Sequence, residues 1–195
     1  MSSVPGPERP LRLFVGWPVP DDIRREVGRV VATLRHDLPA ASWAQPEKLH
    51  LTFAFLGATP AAAVGPLARE LDALEGVASA EVAADRAGFF PGERRPKVAW
   101  IGLSPEERLV PIAEAARAAV ARAGVAFDEK PFRPHLTLAR IKAPWRRGDV
   151  ERFRAAFAAW TPPPMTVDRI VLYESRLSSA GATHVPLREV PFGAR

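Results

Sequence analysis

The sequence predicts one body of alternating strands and helices, built as two related lobes with a cleft between them. Three observations carry this. Strand and helix signals run in the order strand, helix, strand, helix, strand, and then repeat, with one strand left over at the end. The repeat distance is nearly constant: Leu11 and Val98 are 87 residues apart, His50 and His135 are 85 apart, and Ala80 and Met165 are 85 apart. The third element of each half opens on the same tripeptide, His50-Leu51-Thr52 and His135-Leu136-Thr137, with a proline four residues upstream at Pro46 and Pro131.

The helices follow from capping residues and apolar stripes at helical spacing. Asp21 precedes Ile23, Val27, Val30, Val31 and Leu34. Thr59-Pro60 opens a second stripe, Val64, Leu67, Leu71 and Leu74, closed by Gly76. Ser104, Pro105 and Glu107 combine a capping box with proline at the first helical position, ahead of Leu109, Ile112, Ala116 and Val120. Asp149 leads a fourth, with Val150, Phe153, Phe157 and Trp160, stopped by Pro162 to Pro164. Strand signals fall at 11–16, 50–56, 80–84, 98–103, 135–141, 165–173 and 183–188.

The chain of 195 residues suits one domain or two small lobes, and buries a core without disulfides or structural metals. Residues 1–10, polar and Pro-rich, read as a disordered leader and not a signal peptide. The domain then spans 11–190, with sequence halves of about 11–90 and 98–190. The absence of cysteine excludes disulfides, thiolate metal sites and cysteine nucleophiles, and fits a cytoplasmic chain. No apolar run approaches membrane-spanning length. The net charge is +5, and only four of the 27 basic residues are lysine (Lys48, Lys97, Lys130 and Lys142). Arginine suits bidentate phosphate contacts, so an anionic partner is consistent with the charge.

Side chains alternate along a strand, so His50 and Thr52 share one face while Leu51, Phe53 and Phe55 take the other. His135 and Thr137 likewise oppose Leu136 and Leu138. Two lobes related by a pseudo-two-fold bring two imidazoles and two hydroxyls to one small volume. Those groups suit a phosphodiester: one imidazole activates water, the other protonates the leaving oxygen, and the hydroxyls bond the non-bridging oxygens. Neither metal nor cofactor is needed, and symmetry leaves acid and base unassigned. The other histidines, His36 and His184, read as structural or solvated. Strict alternation turns Arg140 away from His135 and Thr137 unless the strand ends or bulges there. Two loops carry arginine beside aromatic rings, as suits single-stranded RNA: Gly88 to Lys97 with Phe89, Phe90, Arg94 and Arg95, and Lys142 to Arg147 with Trp145.

On these residues the sequence resembles the 2H phosphoesterase superfamily, and within it the bacterial RNA 2′,3′-cyclic phosphodiesterases long labelled 2′-5′ RNA ligases. The paired motif is His50-Leu51-Thr52-Phe53 and His135-Leu136-Thr137-Leu138. Arg12-Leu13-Phe14-Val15, Arg94-Arg95-Pro96-Lys97-Val98, Pro131-Phe132-Arg133-Pro134 and Leu172-Tyr173-Glu174-Ser175-Arg176-Leu177 also fit. The resemblance implies a bilobal α+β fold, each lobe a mainly antiparallel sheet with outer helices and the active site in the cleft. It implies hydrolysis of an RNA terminal 2′,3′-cyclic phosphate to a 2′-phosphomonoester, with 2′-5′ ligation as a side activity. It implies His50 as proton donor, His135 as proton acceptor, Thr52 and Thr137 as phosphate holders and Arg140 near the ligand. The expected partner is RNA with a cyclic phosphate end, met by a monomer with no protein partner and no membrane. The rival readings are a 2H enzyme for a small substrate, ADP-ribose cyclic phosphate or a cyclic nucleotide, and a non-catalytic RNA-binding module. A metallohydrolase fits least: no His-Glu-x-x-His motif is present.

Overall fold

The computed structural model describes residues 9–179 and 181–193. The expected leader therefore lies, for residues 1–8, outside the described residues. In chain order the elements are β1 (Leu11–Pro18), α1 (Asp21–Asp37), β2 (Ala41–Trp43), β3 (His50–Thr59), α2 (Val64–Asp72), β4 (Ala80–Phe90), β5 (Val98–Ser104), α3 (Val110–Arg122), β6 (His135–Ile141), α4 (Arg147–Ala158), β7 (Met165–Val167), β8 (Arg169–Ser178) and β9 (Gly181–Pro191). The architecture is α+β, as expected: four helices on one antiparallel sheet. None of the described helices is long and apolar enough to cross a membrane.

All four helices stand near their sequence signals, with changed starts. Pro20, not Asp21, caps α1, and Asp21 and Asp22 lie in its first turn against the positive end of the helix dipole. A single 3-10 turn precedes both α2 and α3, at Ala61–Ala63 and Glu106–Arg108. In α4 the Asp149 carboxylate accepts from the Arg146 backbone N–H at 2.8 Å, so Asp149 works from inside the first turn. The expected strand over 165–173 is two strands, because the chain leaves one edge of the sheet at Asp168. β7 pairs with β4, and β8 pairs with β1.

The sheet runs β7-β4-β5-β6-β3-β1-β8-β9, with β2 also on β6. Its halves meet where β3 and β6 touch, through the single antiparallel pair Leu51 and Leu136. Each half takes strands from both repeats: β4 joins β5 and β6, while β8 and β9 join β1 and β3. The bounds of the repeats are thus not the bounds of the sheet halves. For β4 the reason is local, since it pairs with the strand after it by a short antiparallel connection, whereas β8 joins the other half through its long-range pairing with β1.

Under the junction lies the core. Leu51, Leu136 and Leu138 are fully buried, and Phe53 nearly so, beneath helical residues such as Ala116, Val120 and Phe153. Phe89 and Trp145 belong to this core as well. They pack on Phe153 at ring-centroid distances of 5.3 and 5.8 Å, and the Trp145 indole N–H donates to the Pro39 carbonyl at 3.2 Å. The expectation that these two rings sit in loops ready to stack on RNA is therefore corrected: β4 runs on to Phe90, and burying both rings against α4 removes more apolar surface from water.

Gly16 on β1 sits against the first motif, where a Cβ would lie 2.6 Å from the Leu51 carbonyl oxygen. Backbone there cannot give way. Gly16→Ala is expected to lower stability by about 1–3 kcal/mol, as overpacking does, read as a fall in urea midpoint at unchanged m-value. Gly92→Ala, with nothing within 4 Å, serves as control and should leave the midpoint in place.

Candidate active site

The Leu51–Leu136 pair decides where the motif side chains stand. The strands are antiparallel, so His50 stands on the Thr137 side of the pair and Thr52 on the His135 side. All four point away from the buried leucines, and all four are partly exposed. The two His-x-Thr motifs are brought together on one face, as the alternation predicts.

Each motif then breaks alternation in the same way. Between β1 and β3, Val15 faces Ala54 and Gly16 faces Thr52, so Phe53 is an extra residue. Between β5 and β6, Ala99 faces Ala139 and Trp100 faces Thr137, so Leu138 is extra. A bulge sends two successive side chains to one side, and Phe53 with Ala54, and Leu138 with Ala139, are all buried. The carbonyls at the bulges find other donors. The Arg117 guanidinium donates to Phe53 O at 3.2 Å, and the Ala44 N–H donates to Leu138 O at 2.7 Å.

The bulges re-aim the side chains downstream of them on each strand. Arg140 returns to the face of His135 and Thr137, and its charge acts on both His50 and His135. Phe55 returns to the face of His50, which corrects its expected placement with Phe53. The Arg12 guanidinium lies over the Phe55 ring at 4.6 Å.

Both motif histidines are oriented alike. His50 Nδ1 is 2.7 Å from the Lys48 carbonyl and His135 Nδ1 is 2.6 Å from the Arg133 carbonyl. A carbonyl only accepts, so each Nδ1 carries hydrogen and each Nε2 is left for the cleft. Around His50 pack Phe14 at 4.7 Å and His184 at 4.8 Å; around His135 pack Phe90 at 4.9 Å and Trp100 at 6.1 Å.

Burial in these rings pushes the His50 imidazole down to about 4; the Lys48 carbonyl opposes this, and the charges of His184, His135 and Arg140 add to it. His135 moves the same way, again through burial, against the Arg133 carbonyl and with the Arg140 charge.

His36 is exposed on the last turn of α1, as expected. His184 is not the bystander expected of it: it packs on His50, Phe14 and Tyr173. No sequence motif marks it, and only the β8–β9 register, which sets His184 beside Ser175, brings it to the site. Arg94, Arg95 and Lys97 of the first loop and Lys142, Arg146 and Arg147 of the second are all exposed at the surface. A cavity of about 360 Å³ opens beside His135, with Phe90, Trp100, Arg86 and Arg133 in its wall. The Trp100 indole N–H there is buried without a partner among the described residues.

Paired His-x-Thr strands on a duplicated antiparallel sheet define a class of two-histidine phosphoesterases, and comparison with known proteins agrees. The family model described as the 2'-5' RNA ligase superfamily matches residues 19–178. This chain belongs to that superfamily, the 2H phosphoesterases. It is 27% identical over 188 residues to an RNA 2′,3′-cyclic phosphodiesterase of Thermotoga maritima, covering 93% of this chain and 96% of that protein. It is 30% identical to one of Escherichia coli, covering 92% and 95%. Among solved structures, one from Thermus thermophilus superposes with a TM-score of 0.76 at 25% identity, over 93% of this chain and 97% of that one. E. coli LigT complexed with 3'-AMP superposes with a TM-score of 0.71 at 26% identity, over 94% and 98%.

The buried imidazoles have a consequence for stability. Above the ordinary histidine value of 6.5, folded and unfolded His50 are both neutral. Below it the unfolded chain binds a proton that folded His50 refuses until about 4, so stability falls as pH drops through that window. His50→Gln should flatten the fall. Urea midpoints taken between pH 7 and pH 4.5 would show it, and equal slopes in both proteins would remove His50 as the cause.

Proposed function

We propose that this protein hydrolyses the terminal 2′,3′-cyclic phosphate of RNA to a 2′-phosphomonoester, without a metal, as a monomer acting in the cytoplasm. The observation that carries the reading is the Leu51–Leu136 junction. What supports the reading is that, beside this pair, two imidazoles, each with Nδ1 held by a backbone carbonyl, and two threonine hydroxyls share one face of the sheet. Membership of the superfamily, and the activity by which the Thermotoga maritima and E. coli relatives are named, support the substrate class.

In this reading His135 Nε2 takes a proton from water, and the oxygen attacks phosphorus opposite the ribose 3′-oxygen. The P–O3′ bond breaks as His50 Nε2–H gives its proton to that oxygen. The product keeps phosphate on O2′ and a free 3′-hydroxyl. Thr52 and Thr137 donate to the non-bridging oxygens, and Arg140 holds the added charge. Burial opposes the proton His50 must carry. The substrate's own negative charge, set between the rings, favours it. The 360 Å³ cavity beside His135, with its aromatic wall, leaves room for a nucleoside. Attack by an RNA 5′-hydroxyl in place of water gives 2′-5′ ligation at the same centre.

The deciding assay uses an RNA oligonucleotide with a 2′,3′-cyclic end, in excess EDTA. Wild type should yield a 2′-phosphate, with kcat reduced by about 10²–10⁴ in His50→Ala and in His135→Ala, the range for general acid–base groups. No turnover by wild type, with turnover of ADP-ribose cyclic phosphate or a cyclic nucleotide instead, would overturn the RNA reading. Retained activity in both variants would overturn the mechanism.

Arg140→Gln tests the anion contact separately. The expected loss is about 10-fold or more in kcat/KM, corresponding to about 1.5–3 kcal/mol for a charged hydrogen bond. Unchanged kinetics would take Arg140 out of the site.

A further inference from the structure

The two halves of the site are nearly equivalent, but not fully. Each histidine donates its Nδ1–H to the carbonyl two residues upstream. Each is met edge-on by one ring at almost the same distance and angle. For His135 that ring is Phe90, at 4.9 Å and 86°. For His50 it is His184, at 4.8 Å and 89°. A phenyl group on one side is thus replaced by an imidazole on the other.

The strand that brings His184 has no full counterpart. β9 lies beyond β8 and pairs along its whole length, from Gly181 to Pro191. At the opposite edge, β7 covers only Ala80 to Val82 of β4, at the far end from Phe90. The unrepeated strand is therefore what breaks the two-fold at the active site.

We propose that His184 is a positioning residue that distinguishes the two imidazoles and fits His50, not His135, to the role of proton donor. The inference rests on the two-histidine hydrolysis proposed for this site. Phe14, His50 and His184 are in mutual ring contact, at 4.7, 4.8 and 5.0 Å between centroids, and Phe14 also stacks on Tyr173. An imidazole that takes up charge itself, set edge-on to His50, opposes a second charge there, where a phenyl ring does not. A His50 imidazolium formed with substrate bound is then the stronger acid and gives its proton to the departing oxygen more readily.

Lys48 beside the motif, and His135 and Arg140 from β6, bear on His50 or His184 as positive charges. The Tyr173 hydroxyl on β8, pushed up by burial, stays neutral in the working range. Burial pushes His184 down as it does His50.

The test is His184→Phe, which gives His50 the same kind of neighbour that His135 has. The chain has four histidines, few enough to follow each by NMR against pH. In the full-length variant the His50 midpoint should rise by about 0.5 pH unit or more while that of His135 stays put. The kcat/KM–pH limb set by His50 should move the same way, with kcat at the optimum down roughly two- to three-fold and KM unchanged. His184→Gln should move the midpoint in the same direction, which guards against a packing defect in the phenylalanine variant. An unmoved His50 midpoint in both variants would overturn the proposal, as would a moved midpoint with an unmoved pH–rate limb. If wild type fails to turn over cyclic phosphate, the proposed reaction fails, while the NMR midpoints still decide whether His184 acts on His50.

Discussion

One backbone contact holds this site together. Leu51 and Leu136 are the single antiparallel pair between β3 and β6, and both side chains are fully buried. The leucines anchor the junction to the core, and the residues before and after each of them are forced to the other face. The stability of the fold and the convergence of the four motif side chains thus depend on the same two residues. Burying two leucines at this point contributes several kcal/mol by ordinary transfer arguments, of order 1.5–3 each.

The bulges turn a generic sheet face into an anion site. Without the extra residue at Leu138, Arg140 would be carried to the buried side, where an unpaired guanidinium has no stable place. The bulge leaves carbonyls outside the ladder, and the fold supplies donors for them from separate elements, Arg117 of α3 and the backbone of Ala44. Local irregularity at the site is supported by the helix and the loop beside it.

Enclosure of the imidazoles works against their protonation, and that opposition is useful. Phe14 against His50, and Phe90 with Trp100 against His135, shield part of each ring from water and leave each imidazole partly exposed. The carbonyls at Nδ1 fix the tautomer and leave Nε2 to exchange protons. Gly88 makes the Trp100 wall possible, since a Cβ there would meet the indole at 2.3 Å.

The sequence by itself determined the α+β alternation, four helices, the duplication, and the residues His50, Thr52, His135 and Thr137 as a facing set. Each rests on a period or on a repeated tripeptide, signals that are local in the chain. It did not show which repeat a strand pairs with, because β4 and β8 cross to the other sheet half by hydrogen bonds that no periodicity records. It left Arg140 conditional on a bulge, because an extra residue is visible only against the partner strand. It misplaced Phe55, Phe89 and Trp145 for the same kind of reason: bulging and burial are decided by what packs opposite. His184 shows the limit most clearly. It carries no motif and stands 134 residues from His50 in the chain. Only the tertiary pairing of β1 with β8 and β8 with β9 sets its ring against the one it faces.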